Sequence, residues 1–114
     1  MKYLFLQIMS YRFMRMILFF DLPSVSKKER RDYQKFIKTL KYKGFIMMQE
    51  SVYTKLALNQ SVATSTMLEL KKELPADGHI SLLTITEKQY ASIEHLLGQY
   101  ESDVINNDEK VIKL

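Results

Sequence analysis

One carboxylate in the chain, Asp21, stands where it could do chemistry. It follows Phe19 and Phe20 at the end of a short apolar run, and Leu22–Pro23 then turns the chain away. A carboxylate at the end of a strand can face a groove and bind a hard cation such as Mg²⁺ through oxygen. The more common role of such an aspartate is to accept hydrogen bonds from the following turn. The residues alone leave both roles open.

A single carboxylate is a poor ligand set, because Mg²⁺ usually takes one or two carboxylates together with substrate oxygens. A two-fold axis that brought Asp21 of two chains together would supply a second carboxylate. That pair would either bind a cation or share a proton. The several acids typical of two-metal phosphodiester cleavage are still missing. We therefore expect any nuclease activity of this chain to be weak.

A second candidate is a group of cations in the first predicted helix. The group comprises Lys27, Arg31, Lys35 and Lys38, flanked by Lys28 and Arg30. At 100° per residue the first four share an arc of about 80°, opposite an apolar stripe. Such a line can follow a phosphate backbone, positioning a duplex without reading its sequence. An ordinary solvated face is the alternative, although ordinary faces mix both signs of charge.

The composition excludes most cofactor enzymes. The chain has no cysteine, so a disulfide scaffold, a thiol nucleophile and a cysteine-based zinc site are all ruled out. His79 and His95 are the only histidines, too few for a histidine metal cage. The three glycines form neither a phosphate-binding loop nor a dinucleotide fingerprint. No hydrolase triad is supported.

Charge is distributed unevenly along the 114 residues, which are enough for one domain and one core. Residues 1–58 carry 12 Lys and Arg against four acids, whereas residues 59–114 carry five Lys against nine acids. A chain polarised in this way suggests a polyanionic partner on one side. Solubility alone is the simpler explanation of the same pattern.

Periodicity and caps predict the elements that position these residues. Residues 15–22 form an apolar run that is long enough for a strand and too short for a helix. Ser26 and Glu29 make a capping box that opens a helix, and Gly44 closes it. The buried stripe of that helix is Tyr33, Phe36, Ile37 and Leu40. Residues 45–49 and 51–58 are predicted to be strands.

The second half predicts two more helices and two more strands. A helix after Asn59 ends at Pro75, and its apolar face is Ala63, Met67, Leu70 and Leu74. A turn at Asp77–Gly78 leads into a strand over residues 79–85. A second capping box, at Thr86–Gln89, starts a third helix whose inward residues are Tyr90, Ile93 and Leu97. A polar loop and a short strand over residues 111–114 end the chain.

This order predicts an α+β fold, a ferredoxin-like βαββαβ sandwich with an added C-terminal helix and strand. A last strand after a polar loop can pair with the sheet edge of another chain, so we expect a homodimer. The strand that would pair consists of Val111, Ile112, Lys113 and Leu114.

The N-terminus predicts neither export nor a membrane span. Its apolar stretch is interrupted by Gln7, is too short to span a bilayer, and leads to Arg12 and Arg15 without a small-residue cleavage site. Met9 is a possible natural start, which would make residues 1–8 an extension and residues 9–114 the single domain. We therefore expect a cytoplasmic protein.

Three separated motifs carry a family resemblance. They are FFDLP at Phe19–Pro23, GFIMMQESVYTKL at Gly44–Leu56 and LLTITEKQY at Leu82–Tyr90. Together, and in this order, they closely resemble the CRISPR-associated protein two family, and the TEKQ segment and the length resemble its type II-A branch. The resemblance runs from about Met9 to Leu114. Residues 1–8 have no counterpart in it, and Glu50 stands where similar sequences usually place an apolar or aromatic residue.

The resemblance implies a ferredoxin-like homodimer whose C-terminal strand crosses to the partner's sheet. In that family the dimer bridges two copies of an integrase dimer, CRISPR-associated protein one, and the complex captures a short duplex for insertion into the repeat array. Asp21 matches the family's acidic residue, a Mg²⁺ ligand and catalytic residue in members with nuclease activity. The family's DNA-backbone positions fall on Lys27, Lys28 and Arg31. Arg30, Lys35 and Lys38 are added by helical spacing.

Three functional hypotheses follow. The leading one is a non-catalytic adaptor for spacer acquisition, whose basic helices hold duplex DNA between integrase subunits. The second is a Mg²⁺-dependent endonuclease of RNA or DNA that uses Asp21 from each subunit. The third, which applies if the integrase partner is absent, is a toxin-like or regulatory protein of the same fold.

Overall fold

The computed structural model describes residues 13–98. Its elements are β1 (Met14–Asp21), α1 (Lys27–Tyr42), β2 (Ile46–Gln49), β3 (Val52–Ala57), α2 (Gln60–Leu70), β4 (His79–Thr86) and α3 (Glu87–Ala91). The predicted order of these elements is confirmed. No helix in this part of the chain has the length and hydropathy needed to cross a membrane. The predicted extension (residues 1–8) and last strand (Val111–Leu114) lie outside the described residues.

The four strands form one antiparallel sheet in the order β2-β3-β1-β4. The central strand β1 pairs with β3 on one side and with the full length of β4 on the other. Its apolar run of branched and aromatic residues suits a strand that has neighbours on both edges. This order, with the connections βαββαβ, confirms the predicted ferredoxin-like α+β fold.

Helix α1 begins and ends as its sequence predicts. Ser26 Oγ accepts from the Glu29 amide (3.0 Å), and Glu29 Oε1 accepts from the Ser26 amide (2.9 Å), which completes the capping box. At the other end Gly44 takes a φ of +93°, and the Phe45 amide donates to Leu40 O (2.9 Å). This is a Schellman motif, in which glycine adopts the left-handed conformation at little steric cost.

Both longer helices pack on one face of the sheet, which we call the covered face. Its buried cluster consists of Met16, Leu18, Phe20, Phe36, Ile37, Leu40, Phe45, Tyr53, Ala57, Ala63 and Leu70. The Phe20 ring meets Phe36 and Tyr33 edge to face, with centroids 6.0 Å apart in each pair. Three of the four residues in the predicted stripe of α1 are buried, and Tyr33 is partly buried.

The end of α2 departs from the prediction. The α-helix stops at Leu70, a single 3₁₀ turn covers Lys71–Glu73, and Leu74 is 50% exposed rather than buried. Pro75 is the cause, because a residue before proline is driven into extended backbone. Leu74 has φ −80° and ψ 147°, and its side chain leaves the apolar face of the helix.

Helix α3 is also shorter than predicted. Its capping box forms, but the helix ends at Ala91, and Leu97 is 96% exposed instead of facing inward. Ser92 follows the helix, and its hydroxyl donates to Gln89 O (2.6 Å), a local bond that competes with helical pairing. The start of α3 is anchored differently, because Arg15 pairs with Glu87 through two bonds (2.5 and 2.9 Å).

The other face of the sheet, which we call the open face, carries large apolar side chains that remain accessible. They are Phe19 (41% exposed), Ile46 (53%), Leu56 (39%) and Leu83 (47%). Strand alternation brings these residues to the face opposite the core. Thr54 lies on the same face, is fully buried, and its hydroxyl has no hydrogen-bond partner in the described structure.

Candidate functional site

Asp21 closes β1 at the rim of the open face. Its side chain is exposed, and its cross-strand neighbour in β4 is His79, which is also exposed. The end of the strand is held from the β3 side, where the Phe20 amide donates to Ser51 O (3.0 Å). From the β4 side Gly78 approaches so closely that a Cβ there would lie 2.8 Å from Asp21 O. Two turns therefore define the position of the carboxylate.

A groove of about 350 Å³ runs beside this carboxylate. It is lined by Asp21, Leu22, Ser24, Arg30, Tyr33, Gln34, Glu50 and Ser51. Glu50 brings a second carboxylate to the groove and Arg30 brings a cation, so the charge is of mixed sign. The β2–β3 turn presents Glu50 through Ser51, whose φ of +66° is rare for a residue with a side chain. We call this the acidic groove.

The predicted basic residues of α1 are all exposed. A shallow groove of about 530 Å³ runs along the helix, lined by Lys27, Arg30, Arg31, Gln34, Lys35 and Lys38. The structure thus brings five of the six predicted cations together on one surface, which we call the basic face. Lys28 lies to one side and pairs with Asp32 (3.1 Å). Arg30 and Gln34 line the acidic groove as well, so the two surfaces adjoin.

The two acids of α1 do not oppose the basic face. Glu29 is engaged at the helix N-terminus, where the Ser26 backbone amide lowers the pKa of its carboxyl. Asp32 is occupied by Lys28. No ion pair in residues 13–98 involves Lys27, Arg31, Lys35 or Lys38. The basic face therefore presents a field of one sign to solvent.

The oxygen donors near Asp21 meet the requirements of a Mg²⁺ ion only in part. Within residues 13–98 no three His, Cys, Asp or Glu side chains come together closely enough to hold a metal ion. Asp21 and Glu50 nevertheless line one groove, and Mg²⁺ is commonly held by one or two carboxylates with waters and phosphate oxygens. These donors fit Mg²⁺ bound together with a phosphodiester, and they do not form a complete protein cage.

The sequence predicted Asp21 at the end of β1 and the cations on one side of α1, but it did not predict that Glu50 lines the groove beside Asp21. Glu50 is separated from Asp21 by a helix and a strand, and only the β3–β1 pairing brings its turn to the end of β1. The available signal was the acid itself, which interrupts the apolar and aromatic residues on either side of the turn. The exposed position of Glu50 in the turn explains why the fold tolerates it.

The fold and the site define a class: small ferredoxin-like domains whose central strand ends in an exposed carboxylate beside a basic helix. The model of one family, described as CRISPR associated protein Cas2, matches residues 14–93. The chain belongs to the Cas2 family.

Relatives agree with this assignment. The chain is 46% identical over 101 residues to a CRISPR-associated endoribonuclease Cas2 of Streptococcus mutans serotype c, covering 89% of this chain and 93% of the relative. It is 43% identical over 101 residues to a protein of the same name from Treponema denticola, covering 89% and 100%. A solved structure titled "Crystal structure of cas2" matches with a TM-score of 0.56 at 18% identity, covering 79% and 92%, which supports the fold. The family resemblance is confirmed, and the streptococcal relative is consistent with the type II-A-like branch.

Proposed function

We propose that this chain is the spacer-acquisition adaptor of a CRISPR system, acting in the cytoplasm as a homodimer. The dimer bridges two integrase dimers and holds duplex prespacer DNA through phosphate contacts. Membership of the Cas2 family supports the setting. The observation that carries the DNA-binding role is the basic face, in which none of the five cations has an ion-pair partner among the described residues.

The dimensions of the basic face suit a duplex backbone. Lys27 and Lys38 bound a stretch of helix that rises about 16 Å at 1.5 Å per residue. Phosphates on one strand are about 3.4 Å apart along the duplex axis, so the face can follow roughly five of them. Lysine and arginine side chains on an exposed helix contact phosphates without selecting bases. An adaptor that accepts foreign DNA of any sequence needs this kind of contact.

The open face supports the proposal of a homodimer. It exposes four large apolar side chains on one sheet surface, and Thr54 beside them has a buried hydroxyl without a partner. An apolar sheet face of this kind is a typical association surface. The proposed domain, residues 9–114, includes Val111–Leu114, which lie outside the described residues and which we propose pair with the sheet edge of a neighbouring chain.

The second candidate function is a Mg²⁺-dependent endonuclease of RNA or DNA. Two observations favour it: relatives carry the name endoribonuclease, and Asp21, Glu50 and Arg30 share the acidic groove. Bound there, Mg²⁺ would polarise a phosphodiester and lower the pKa of a bound water. Asp21 would hold the metal, and Arg30 would orient the phosphate by charge. The small donor set implies slow cleavage.

The experiment that tests the adaptor measures mass by light scattering after the chain is mixed with the neighbouring integrase and a short duplex. We expect one complex that contains two copies of this chain. If the chain elutes apart from both components at moderate salt, the adaptor proposal is wrong. The same chain is then assayed for Mg²⁺-dependent cleavage.

Asp21→Asn separates the two functions, because it removes the charge and keeps the shape of the side chain. We expect it to abolish any cleavage and to leave integration by the complex unchanged. Arg31→Gln, on the basic face, is expected to weaken duplex binding and reduce its salt dependence while leaving the fold intact. Loss of integration in a folded, dimeric Asp21→Asn variant would contradict the adaptor proposal.

A further inference from the structure

A second groove opens on the far side of α1, between that helix and the end of α2. Its volume is about 360 Å³, and it is lined by Lys28, Asp32, Lys35, Phe36, Lys72, Glu73, Leu74, Pro75 and Ala76. We call it the interhelix groove. It lies apart from Asp21 and the acidic groove, and the family resemblance assigns it no role.

The acids of the interhelix groove are already paired. Asp32 binds Lys28 (3.1 Å), and Glu73 binds Lys43 (3.1 Å), whose side chain is only 15% exposed and lies outside the lining. Lys35 and Lys72 remain without an ion-pair partner among the described residues. The groove therefore has two cations on its walls whose charge is not offset locally, which suits an anion.

The floor of the groove is apolar. Pro75 holds Leu74 in extended backbone, and this leaves the leucine side chain 50% exposed instead of packed in the core. Phe36 closes the bottom and is 2% exposed. A groove with cationic walls and an apolar floor matches the two parts of a nucleic-acid backbone, its phosphate and its sugar.

Lys35 connects the interhelix groove to the basic face, since it lines both. The two surfaces therefore adjoin at Lys35, and a duplex that lies along α1 can reach the interhelix groove over this residue. The cation it meets there is Lys72, more than thirty residues beyond the basic face in sequence and on a different element.

We infer that Lys72 binds a backbone phosphate of the same duplex that α1 holds, with the adjoining deoxyribose against Leu74 and Pro75. The inference rests on the proposed DNA-binding function and widens the DNA-binding surface from one helix to two elements. The proposed contact also explains why Leu74 is exposed and not packed in the core.

The test compares Lys72→Gln with Lys71→Gln in the full-length chain. The two lysines are adjacent and both exposed, but Lys71 lines a different, apolar groove with Met67 and Ile80. Affinity for a blunt duplex of mixed sequence is measured at several salt concentrations. We expect Lys72→Gln to reduce the slope of log K against log salt by about 0.9, the value of one phosphate contact, for each subunit of the dimer whose Lys72 touches the duplex. Across a fourfold rise in salt, each lost contact then makes the fall in affinity of the variant about 3.5-fold smaller than that of the wild type.

The contact is located by replacing phosphates of the duplex one at a time with neutral methylphosphonates. Each phosphate bound by Lys72 of either subunit should show one pattern: its replacement weakens binding of the wild type and of the Lys71→Gln variant but has no effect on Lys72→Gln. Equal changes in slope for both lysine variants, or none for Lys72→Gln, would overturn the inference. Arg31→Gln distinguishes the two failures: if it lowers the slope while Lys72→Gln does not, only the interhelix contact is wrong. If neither variant changes binding, the DNA-binding role of α1 is wrong too.

Discussion

The two faces of the sheet are built from the same strands and differ in what they leave accessible. On the covered face, Met16 and Leu18 are at most 1% exposed and pack under two helices. On the open face, the neighbouring Phe19 is 41% exposed and Leu83 is 47% exposed. One residue along the strand separates a core position from an accessible one, because side chains alternate between the faces.

This difference separates folding from association. Burial on the covered face stabilises the monomer, so substitutions there are expected to act on the free energy of unfolding. The open face carries Asp21 together with apolar side chains whose burial requires another surface. Substitutions of the exposed residues on the open face are expected to act on assembly and on the site at the strand end. Leu40→Ala and its control test this division directly, and three further substitutions test the strand-end turn, the buried hydroxyl and the helix cap.

The largest effect is expected from Leu40→Ala. Leu40 is 0% exposed and packs in the core, and its carbonyl accepts the hydrogen bond from the Phe45 amide that caps α1. The loss should be about 3 kcal/mol in the free energy of unfolding, measured by urea titration. Leu83→Ala on the open face is the matched control, and its cost should be about 1 kcal/mol or less at low protein concentration. Similar losses in the free energy of unfolding for the two variants would show that the two faces contribute equally to the stability of the monomer.

Gly78→Ala should have the next largest effect, on the turn that holds Asp21. Gly78 has a φ of +110°, and an added Cβ would lie 2.6 Å from Leu22 Cδ2 and 2.8 Å from Asp21 O. We expect a loss of about 2 kcal/mol from backbone strain, with movement of the strand end. Gly98→Ala is the control, since Gly98 has a φ of +79° and nothing within 4 Å of an added Cβ. Shifts of amide resonances near Asp21 in the Gly98 variant, or none in the Gly78 variant, would contradict this account.

Thr54→Val, unlike the two substitutions above, should stabilise the protein, raising its free energy of unfolding by about 1 kcal/mol. The Thr54 hydroxyl is buried on the open face without a partner, so its removal relieves an unpaired polar group. Thr66→Val is the matched control, because the Thr66 hydroxyl donates to Val62 O (2.9 Å). Thermal unfolding should show stabilisation for Thr54→Val only. A destabilised Thr54 variant would show that the hydroxyl makes a useful contact on assembly or in the native chain.

Glu29→Gln should have the smallest effect, confined to acidic pH. The bond from the Ser26 amide lowers the pKa of Glu29 below its ordinary value of 4.5. A lowered folded-state pKa contributes stability above the unfolded-state value, and that contribution is lost as pH falls through the folded-state pKa. Glutamine can keep the capping box but does not titrate. Urea titrations from about pH 6 to pH 3 should show that the free energy of unfolding falls more steeply for the wild type than for the variant. If the two free energies fall in parallel with pH, Glu29 does not have this role.

Local signals in the sequence predicted most of the fold. The capping box at Ser26, the stripe of α1 and the glycine at position 44 all act within a few residues, and each was confirmed. The errors came where two local preferences compete, as at Leu74 before proline and at Ser92 after α3. The positions of Glu50 beside Asp21 and of Lys72 beside α1 could not be predicted, because strand pairing and helix packing bring distant segments together.

The central position of β1 also has a consequence for synthesis on the ribosome. Arg15 in β1 meets Glu87 at the start of α3, 72 residues later in the chain. Synthesis proceeds at about 5 to 20 residues per second, so the strand and helix that complete the surroundings of β1 are made about 4 to 14 seconds after it. During that interval an eight-residue strand that is apolar on both faces has only part of its final cover. The nascent chain is therefore most exposed to aggregation before β4 emerges, and holding by a chaperone at that stage would protect it.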